Sequence, residues 1–478
     1  MKKSLLSTLF IITALIFAVA CQKSDVPEET PVAEFSVVLN SVGRTIEVGV
    51  TPSDSTIYYT FGLISQEEYD ACGGNNEGLV AFISEKIASG EALYVQGVGS
   101  AEFDDLLYLS TYYGYAVQLD VKDNVATVNG EPSMVSKYLK NEYVSFEPAE
   151  LTVAPFAISD NGYFVVGNFQ DGSYLYDVRR DSLTIIPAIG LNDITDEGVA
   201  YGQELTSKEA VIYSNGEITY VPVPAGATEI CFNAVNSKGE KVVGYYMDET
   251  YKFVPFVYEN STIKNLSLPI GADGRQLAMA AAKGIGANGV ISGYGLLTSD
   301  YTEVSALWNL PDGSDMVVGA DLMEMTYDDE ADMDFWNCVY GGMFTYISPD
   351  GKYVASKYAD YTEGVWHPKD YAYLYDVEAG ELITITDSNI QNLRVDGVMS
   401  NGDIFFADVP YGLSSQPYVY SVDDEKLYTL KEYFEVKYGY TAVDTIEGSL
   451  IAVSQDRNIF VTSSYGEGSG YVTNIFVM

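Results

Sequence analysis

Ala157-Ile158-Ser159-Asp160-Asn161-Gly162, followed by Tyr163-Phe164-Val165-Val166-Gly167, is a phrase that the chain repeats. A small or apolar pair leads to a polar residue, a turn ending in Gly or Asn, and then an apolar strand. It returns at Asp193–Gly198, with Val199-Ala200-Tyr201-Gly202 behind it. Further copies run Ala234–Gly239, Gly284–Gly289, Tyr346–Gly351 and Gly397–Gly402. A weaker seventh spans Ala452–Asn458 and leads into Ile459-Phe460-Val461.

Each phrase is followed by a strand with an aromatic centre, such as Tyr174-Leu175-Tyr176-Asp177, Pro255-Phe256-Val257-Tyr258 or Tyr373-Leu374-Tyr375-Asp376. A tight turn comes next, as at Ser214-Asn215-Gly216, and then another strand, as at Leu382-Ile383-Thr384-Ile385. One small antiparallel sheet cannot cover both of its faces, but a ring of such sheets can. The repeats therefore predict a β-propeller over residues 143–478, with about 48 residues per blade, the spacing expected of propeller repeats. Seven blades are expected; six and eight are the alternatives, because inserts blur the fourth and fifth repeats. The last repeat stops at its aromatic strand, so its outer strand must come from upstream. The expected donor is Glu150-Leu151-Thr152-Val153-Ala154-Pro155.

The segments 234–245 and 255–260 resemble the repeats of extracellular HAF-type propeller proteins and, less closely, TolB- and WD40-like blades. That resemblance implies a fold and no activity, since propellers serve enzymes, binders and scaffolds alike.

At the other end, Lys2 and Lys3 precede an apolar run from Leu5 to Ala20, and Ala18-Val19-Ala20 leads to Cys21. This is the signal-peptide pattern with a cysteine at the cleavage point. It resembles the lipobox of bacterial lipoproteins, although Ala18 stands where that family most often has Leu. The resemblance implies a signal peptide over 1–20 and a lipid on the Cys21 thiol. Gln22-Lys23-Ser24-Asp25 and Pro27-Glu28-Glu29 resemble the acidic export signals of Bacteroidota surface lipoproteins. That implies an outer-membrane, surface-exposed, lipid-anchored protein, with residues 21–33 as a disordered tether.

Between tether and repeats, Phe35–Leu39 and Thr45–Val50 read as strands, the second strictly alternating. Thr56–Ile64 is a third, followed by Leu79, Phe82, Ile83 and Ile87 at helical spacing with Gly90 as the stop. Tyr115–Val121 and Asn124–Val128 alternate again. With Val50-Thr51-Pro52-Ser53-Asp54 before Tyr58-Tyr59, this stretch resembles the immunoglobulin- or fibronectin-III-like domains that follow the anchor in Bacteroidota lipoproteins. The resemblance implies an Ig-like β-sandwich over 34–140 with a helical insertion, acting as a spacer. The fold class is thus mainly β: sandwich, then propeller.

The formal charge of −43, from 25 basic and 68 acidic residues, repels nucleic acid and anionic headgroups. Nucleic-acid binding is excluded on that ground, and membrane attachment must run through the lipid on Cys21 or through a partner. A single histidine, His367 in Trp366-His367-Pro368, rules out zinc sites with several His ligands. Cys72, Cys231 and Cys338 are too far apart in sequence to suggest a metal cluster; one disulfide or free thiols are the open alternatives.

No residue is assigned as catalytic, cofactor-binding or metal-ligating. Asp328–Asp334 is the densest acidic cluster and the one candidate for Ca²⁺, but it lacks the Gly and terminal Glu of an EF-hand loop. Trp336 and Trp366 lie in insertions where they could stack on a sugar. Asp54-Ser55-Thr56, Asp181-Ser182-Leu183 and Asp444-Thr445-Ile446 resemble Bacteroidota O-glycosylation triplets. The expected function is non-catalytic binding or scaffolding at the cell surface, with a glycan or protein ligand. The alternative is a hydrolase or lyase acting on extracellular polysaccharide.

Overall fold

A computed structural model describes residues 33–146 and 154–478, apart from 93, 124, 170, 272–273, 299–302, 319–324, 329–332, 337, 361–368, 386–392, 409–415, 442–445, 447–448, 455–457 and 466–470. Cys21, the apolar run before it and most of the tether lie outside the described residues. The chain divides into two compact units, Met1–Asn141 and Glu142–Met478.

In the first unit, Phe35–Val42 pairs with Thr45–Pro52, which pairs with Gly99–Phe103. A second sheet joins Tyr58–Ser65 to Ser110–Lys122, and that long strand also pairs with Val125–Val128 and Ser133–Leu139. Alternation puts Ile46, Val48 and Val50 inside. The two sheets approach closely at Gly114, where a Cβ would press into Leu39 from the other sheet. The helix spans Asn76–Ser89; Asn75 caps its start and Gly90 ends it in the left-handed conformation (φ +76°). Leu79 and Ile83 bury its inner face against Ile64 and Val117. Three elements of this unit have no counterpart among the expected ones: the strands Gly99–Phe103 and Ser133–Leu139, and a short helix, Gln66–Ala71, which opens with a Ser65/Glu68 capping box.

The second unit is a β-propeller. Among the described residues it holds seven four-stranded antiparallel sheets. The first runs Ala154–Ile158, Phe164–Phe169, Gly172–Asp177, Ser182–Pro187, from the innermost strand outwards. The next five inner strands are Ile189–Ile194, Ala227–Val235, Leu277–Ile285, Cys338–Ile347 and Leu393–Val398. Ser449–Ser454 begins the seventh. Each sheet packs on the next, and the seventh packs on the first, where Tyr174 Oη lies 3.1 Å from Thr473 Oγ1. Aromatic side chains fill the joints: Phe232 and Phe256 are fully buried and meet edge to face, with Tyr201 from the preceding sheet against Phe232. Burying each such ring stabilises the joint by about 2–3 kcal/mol.

The repeated phrase is the turn between the innermost strand and its neighbour. In the first copy Gly162 N donates to Ser159 O at 2.8 Å and Gly162 takes a φ of +72°. Ser159 Oγ accepts from Phe164 N, and Asn161 Oδ1 accepts from Tyr163 N. Ser348, Asp350 and Gly351 repeat the arrangement. In the weak seventh copy the positive φ falls on Asn458 (+50°), one residue past the glycine position of the first turn, and Asn tolerates that conformation better than most residues.

The last sheet takes its fourth strand from Tyr143–Phe146, not from Glu150–Pro155. Tyr143 donates its hydroxyl to Asn474 Oδ1 at 2.8 Å, and its ring packs on Phe476. Ala154 and Pro155 belong instead to the inner strand of the first sheet. The insert between the fourth and fifth sheets carries a two-stranded hairpin, Met325–Asp328 with Met333–Trp336; a second insert, between the sixth and seventh sheets, carries a helix, Leu430–Tyr438. That helix opens on a Thr429/Glu432 capping box, ends at Gly439, and buries Leu430, Tyr433 and Phe434.

Candidate functional site: the propeller channel

Every inner strand slips register before its turn. A β-bulge leaves one residue without a partner and re-aims its side chain. The residues skipped are Phe156, Asn192, Asn233, Lys283, Asp396 and Ile451 in sheets one to four, six and seven. The fifth sheet skips residues 342–345. These six residues and Thr345 all line one cavity of about 610 Å³. One feature of backbone pairing, repeated around the ring, thus builds the wall of a central channel within the size range of small-molecule sites, ~300–1,000 Å³.

Glycine opposite the bulge makes room for it. Gly202, Gly244 and Gly293 pair with Leu191, Phe232 and Ala282, the residues just before the bulge. A Cβ at these glycines would lie 1.8, 2.0 and 2.1 Å from the carbonyl oxygens of Gly190, Cys231 and Ala281. These are the glycines that follow the apolar pair in the sequence repeat. They are the local sign of the bulge in the sequence, and by pattern alone they look like the end of an ordinary strand.

The wall is uneven. Sheets seven and one contribute Ile451 and Phe156, and Phe156 is 51% exposed despite its apolar ring. Sheets two and three contribute amides tied to the next inner strand: Asn192 Nδ2 donates to Phe232 O at 2.8 Å and Asn233 Nδ2 to Ala282 O at 2.7 Å. Sheet four contributes Lys283. Water reaches its side chain through the channel, yet protein surrounds it, and this desolvation lowers its pKa. Its ammonium lies 5.9 Å from the Tyr294 ring centroid. No carboxylate comes within ion-pair distance of it among the described residues.

Sheet six carries its own neutralised pair. Arg394 grips Asp396 with both arms of its fork, Nε to Oδ1 at 2.6 Å and Nη2 to Oδ2 at 3.1 Å, and Nη2 also reaches Ser449 Oγ at 2.7 Å. Burial raises the pKa of Asp396, and Arg394 opposes that rise. Asp193, beside the bulge of sheet two, is pushed up to about 7 by burial, against two amide donors, Val235 N and Ile194 N, each at 2.8 Å. Cys231 is buried, a free thiol pushed up to about 11 by desolvation, which makes it a poor nucleophile.

Of the candidate site residues that are described, none is among those lining this channel. Cys72 is a free thiol that caps the helix Gln66–Ala71, in the other unit from Cys231, and Cys338 starts the inner strand of sheet five. His367 and Trp366 lie outside the described residues. Trp336 ends one strand of the insert hairpin, and the acidic cluster spans that hairpin's connection, where residues 329–332 are outside the described set. Among the described residues, no three His, Cys, Asp or Glu side chains gather to hold a metal. Of the triplets, Asp54 turns back to accept from Thr56 N and Oγ1, and Asp181 accepts from Tyr176 Oη. Asp444 and Thr445 are outside the described residues.

No family model matches the chain, and no curated protein matches it. Solved structures do. A structure described as a putative TolB from Agrobacterium tumefaciens is 12% identical, covering 58% of this chain and 79% of its own, with a TM-score of 0.32. The β-propeller domain of the Trilobed protease from Pyrococcus furiosus is 10% identical, covering 68% and 95%, with a TM-score of 0.44. A structure from work on two prolyl endopeptidases is 10% identical, covering 85% and 57%, with a TM-score of 0.43. These likenesses are too low to carry an argument about activity.

Proposed function

We propose that this is a lipid-anchored cell-envelope protein whose seven-bladed propeller binds a glycan or protein ligand in its central channel without chemical turnover. The cavity of about 610 Å³, walled by one skipped residue or segment from each sheet, carries the reading. The signal-like segment ending at Cys21 supports the anchor, and the three- and four-stranded sheets of the first unit support an Ig-like spacer. Screening the full chain in detergent against a glycan array, together with pull-downs from envelope extract, tests the binding. A ligand displaced by Asn233→Trp, which blocks the channel, is the expected result; no ligand in repeated screens contradicts it. Replacing Cys21 by Ser tests the anchor: the chain leaves the membrane fraction, or the anchor is wrong.

Asp193 favours one other reading. A carboxyl group held near pH 7 suits a general acid, as a polysaccharide hydrolase would need. Yet both Asp193 oxygens are already engaged by backbone amides, which fits a structural role better. Glycan turnover abolished by Asp193→Asn would establish the enzyme.

A further inference from the structure

We infer that the channel selects an acidic sugar, with a uronate carboxylate on Lys283 and a pyranose face on Phe156; this rests on the channel-binding reading above. Lys283 sits at a bulge and lines the cavity, with its ammonium close enough to the Cys231 thiol of sheet three to interact with it. The chain has 68 acidic residues, yet none is placed against this ammonium among the described residues. A cation held in a partly desolvated wall without a counter-ion favours an incoming anion. Arg394 does not compete for it, because both arms of its fork are occupied by Asp396.

The opposite wall calls for a different chemistry. In the order of the ring, Phe156 and Ile451 are neighbours, three sheets away from Lys283 on either side. Phe156 exposes a ring to the cavity although Pro155 and Ile158 on the same strand are buried. Such a ring packs against the C–H face of a pyranose. Between these poles, Asn192 and Asn233 are held in place by their bonds to Phe232 O and Ala282 O, and each keeps capacity for sugar hydroxyls. An anion, a run of hydroxyls and an apolar face, in that order, describe a uronic acid residue. A tetrahedral dianion such as phosphate fits less well, since one lysine offers a point charge and no fork.

The chain's net charge of −43 opposes a polyanion at long range, so the association rate rises as salt screens that repulsion. The test is calorimetric titration of the full chain in detergent with oligomers of galacturonate, glucuronate-containing hyaluronan and mannuronate, beside neutral galactotriose and cellotriose. At least one acidic oligomer binds; Lys283→Gln weakens it by about tenfold or more, Lys283→Arg by less than about threefold, and Phe156→Ala weakens it as well. Unchanged melting temperatures exclude misfolding. Three outcomes overturn the inference: neutral sugars binding as tightly, Lys283→Gln without effect, or no acidic oligomer binding at about 10 mM. In the last case, an array ligand still displaced by Asn233→Trp leaves the channel reading standing, and an empty array removes both.

Discussion

Sheets one to four and sheets five to seven all slip register on the inner strand, by one residue except in sheet five, with different residues opposite the slip. In the first group the position facing the residue before the bulge is Gly167, Gly202, Gly244 or Gly293. In the second it is Lys357, Phe406 or Thr462. In the fifth sheet the glycine of that pair, Gly341, has moved to the inner strand itself. The bulge therefore does not need glycine as such. What glycine permits is the closeness of the two backbones, and in sheets two to four that closeness leaves no room for a Cβ. These are also the sheets that place Asn192, Asn233 and Lys283 in the channel. The polar wall is built on the tighter of the two bulges.

The largest effect should come from breaking a tight bulge. Gly244→Ala puts a methyl 2.0 Å from Cys231 O and should cost at least ~3 kcal/mol in denaturant unfolding. Thr462→Ala, at the matching place in sheet seven, only trims a buried side chain and should cost about 1–2 kcal/mol. Equal losses would mean that the two bulge types are one.

Close behind is the ion pair of sheet six. Arg394→Met leaves the buried Asp396 carboxylate unpaired and should cost about 3 kcal/mol, much of it recovered when Asp396→Leu is added. A double variant no better than the single one would argue that the pair is not buried as described.

Asp193 contrasts with Asp396 because, among the described residues, no cation offsets its burial. Its folded-state pKa of about 7 lies above the unfolded value, so the folded chain holds the proton longer. The resulting stability is fully present below about pH 4 and is lost as pH rises through about 7, at up to ~1.4 kcal/mol per pH unit. Unfolding midpoints at pH 5 and pH 8 should show this in the parent chain and lose most of it in Asp193→Asn.

The smallest effect belongs to the irregular seventh turn. Asn458→Gly should be neutral within a few tenths of a kcal/mol, and Asn458→Ala should cost about 1 kcal/mol, since φ is +50° there. Paired melting curves would separate the two.

Much of the propeller was legible because its turn is local. Ser159, Asn161 and Gly162 satisfy one another within five residues, so the same letters recur wherever the same turn does. The aromatic strands recur because the joints between sheets need large rings, as at Phe256. The closing strand was misplaced because pairing at long range has no local mark: Ala154 and Pro155 lie just before the first phrase because they are its inner strand. The helix at Leu430–Tyr438 did carry a mark, Thr429 with Glu432 and then Gly439, but it lies between the sixth and seventh phrases, outside the repeated pattern. The channel residues were hidden for a similar reason. Phe156, Asn192 and Lys283 share no residue type; they share a slip in register, which only the paired strand reveals.

The closed ring underlies the channel, the bulge wall and the ligand reading together, and its seam is Tyr143–Phe146 against Tyr471–Val477. Amide hydrogen exchange across that seam tests it most directly. The amides of residues 143–146 that face the last strand should exchange slowly and together with those of 471–477, at the rate of a shared opening. Fast exchange at 143–146 while 471–477 stay protected would contradict the closure.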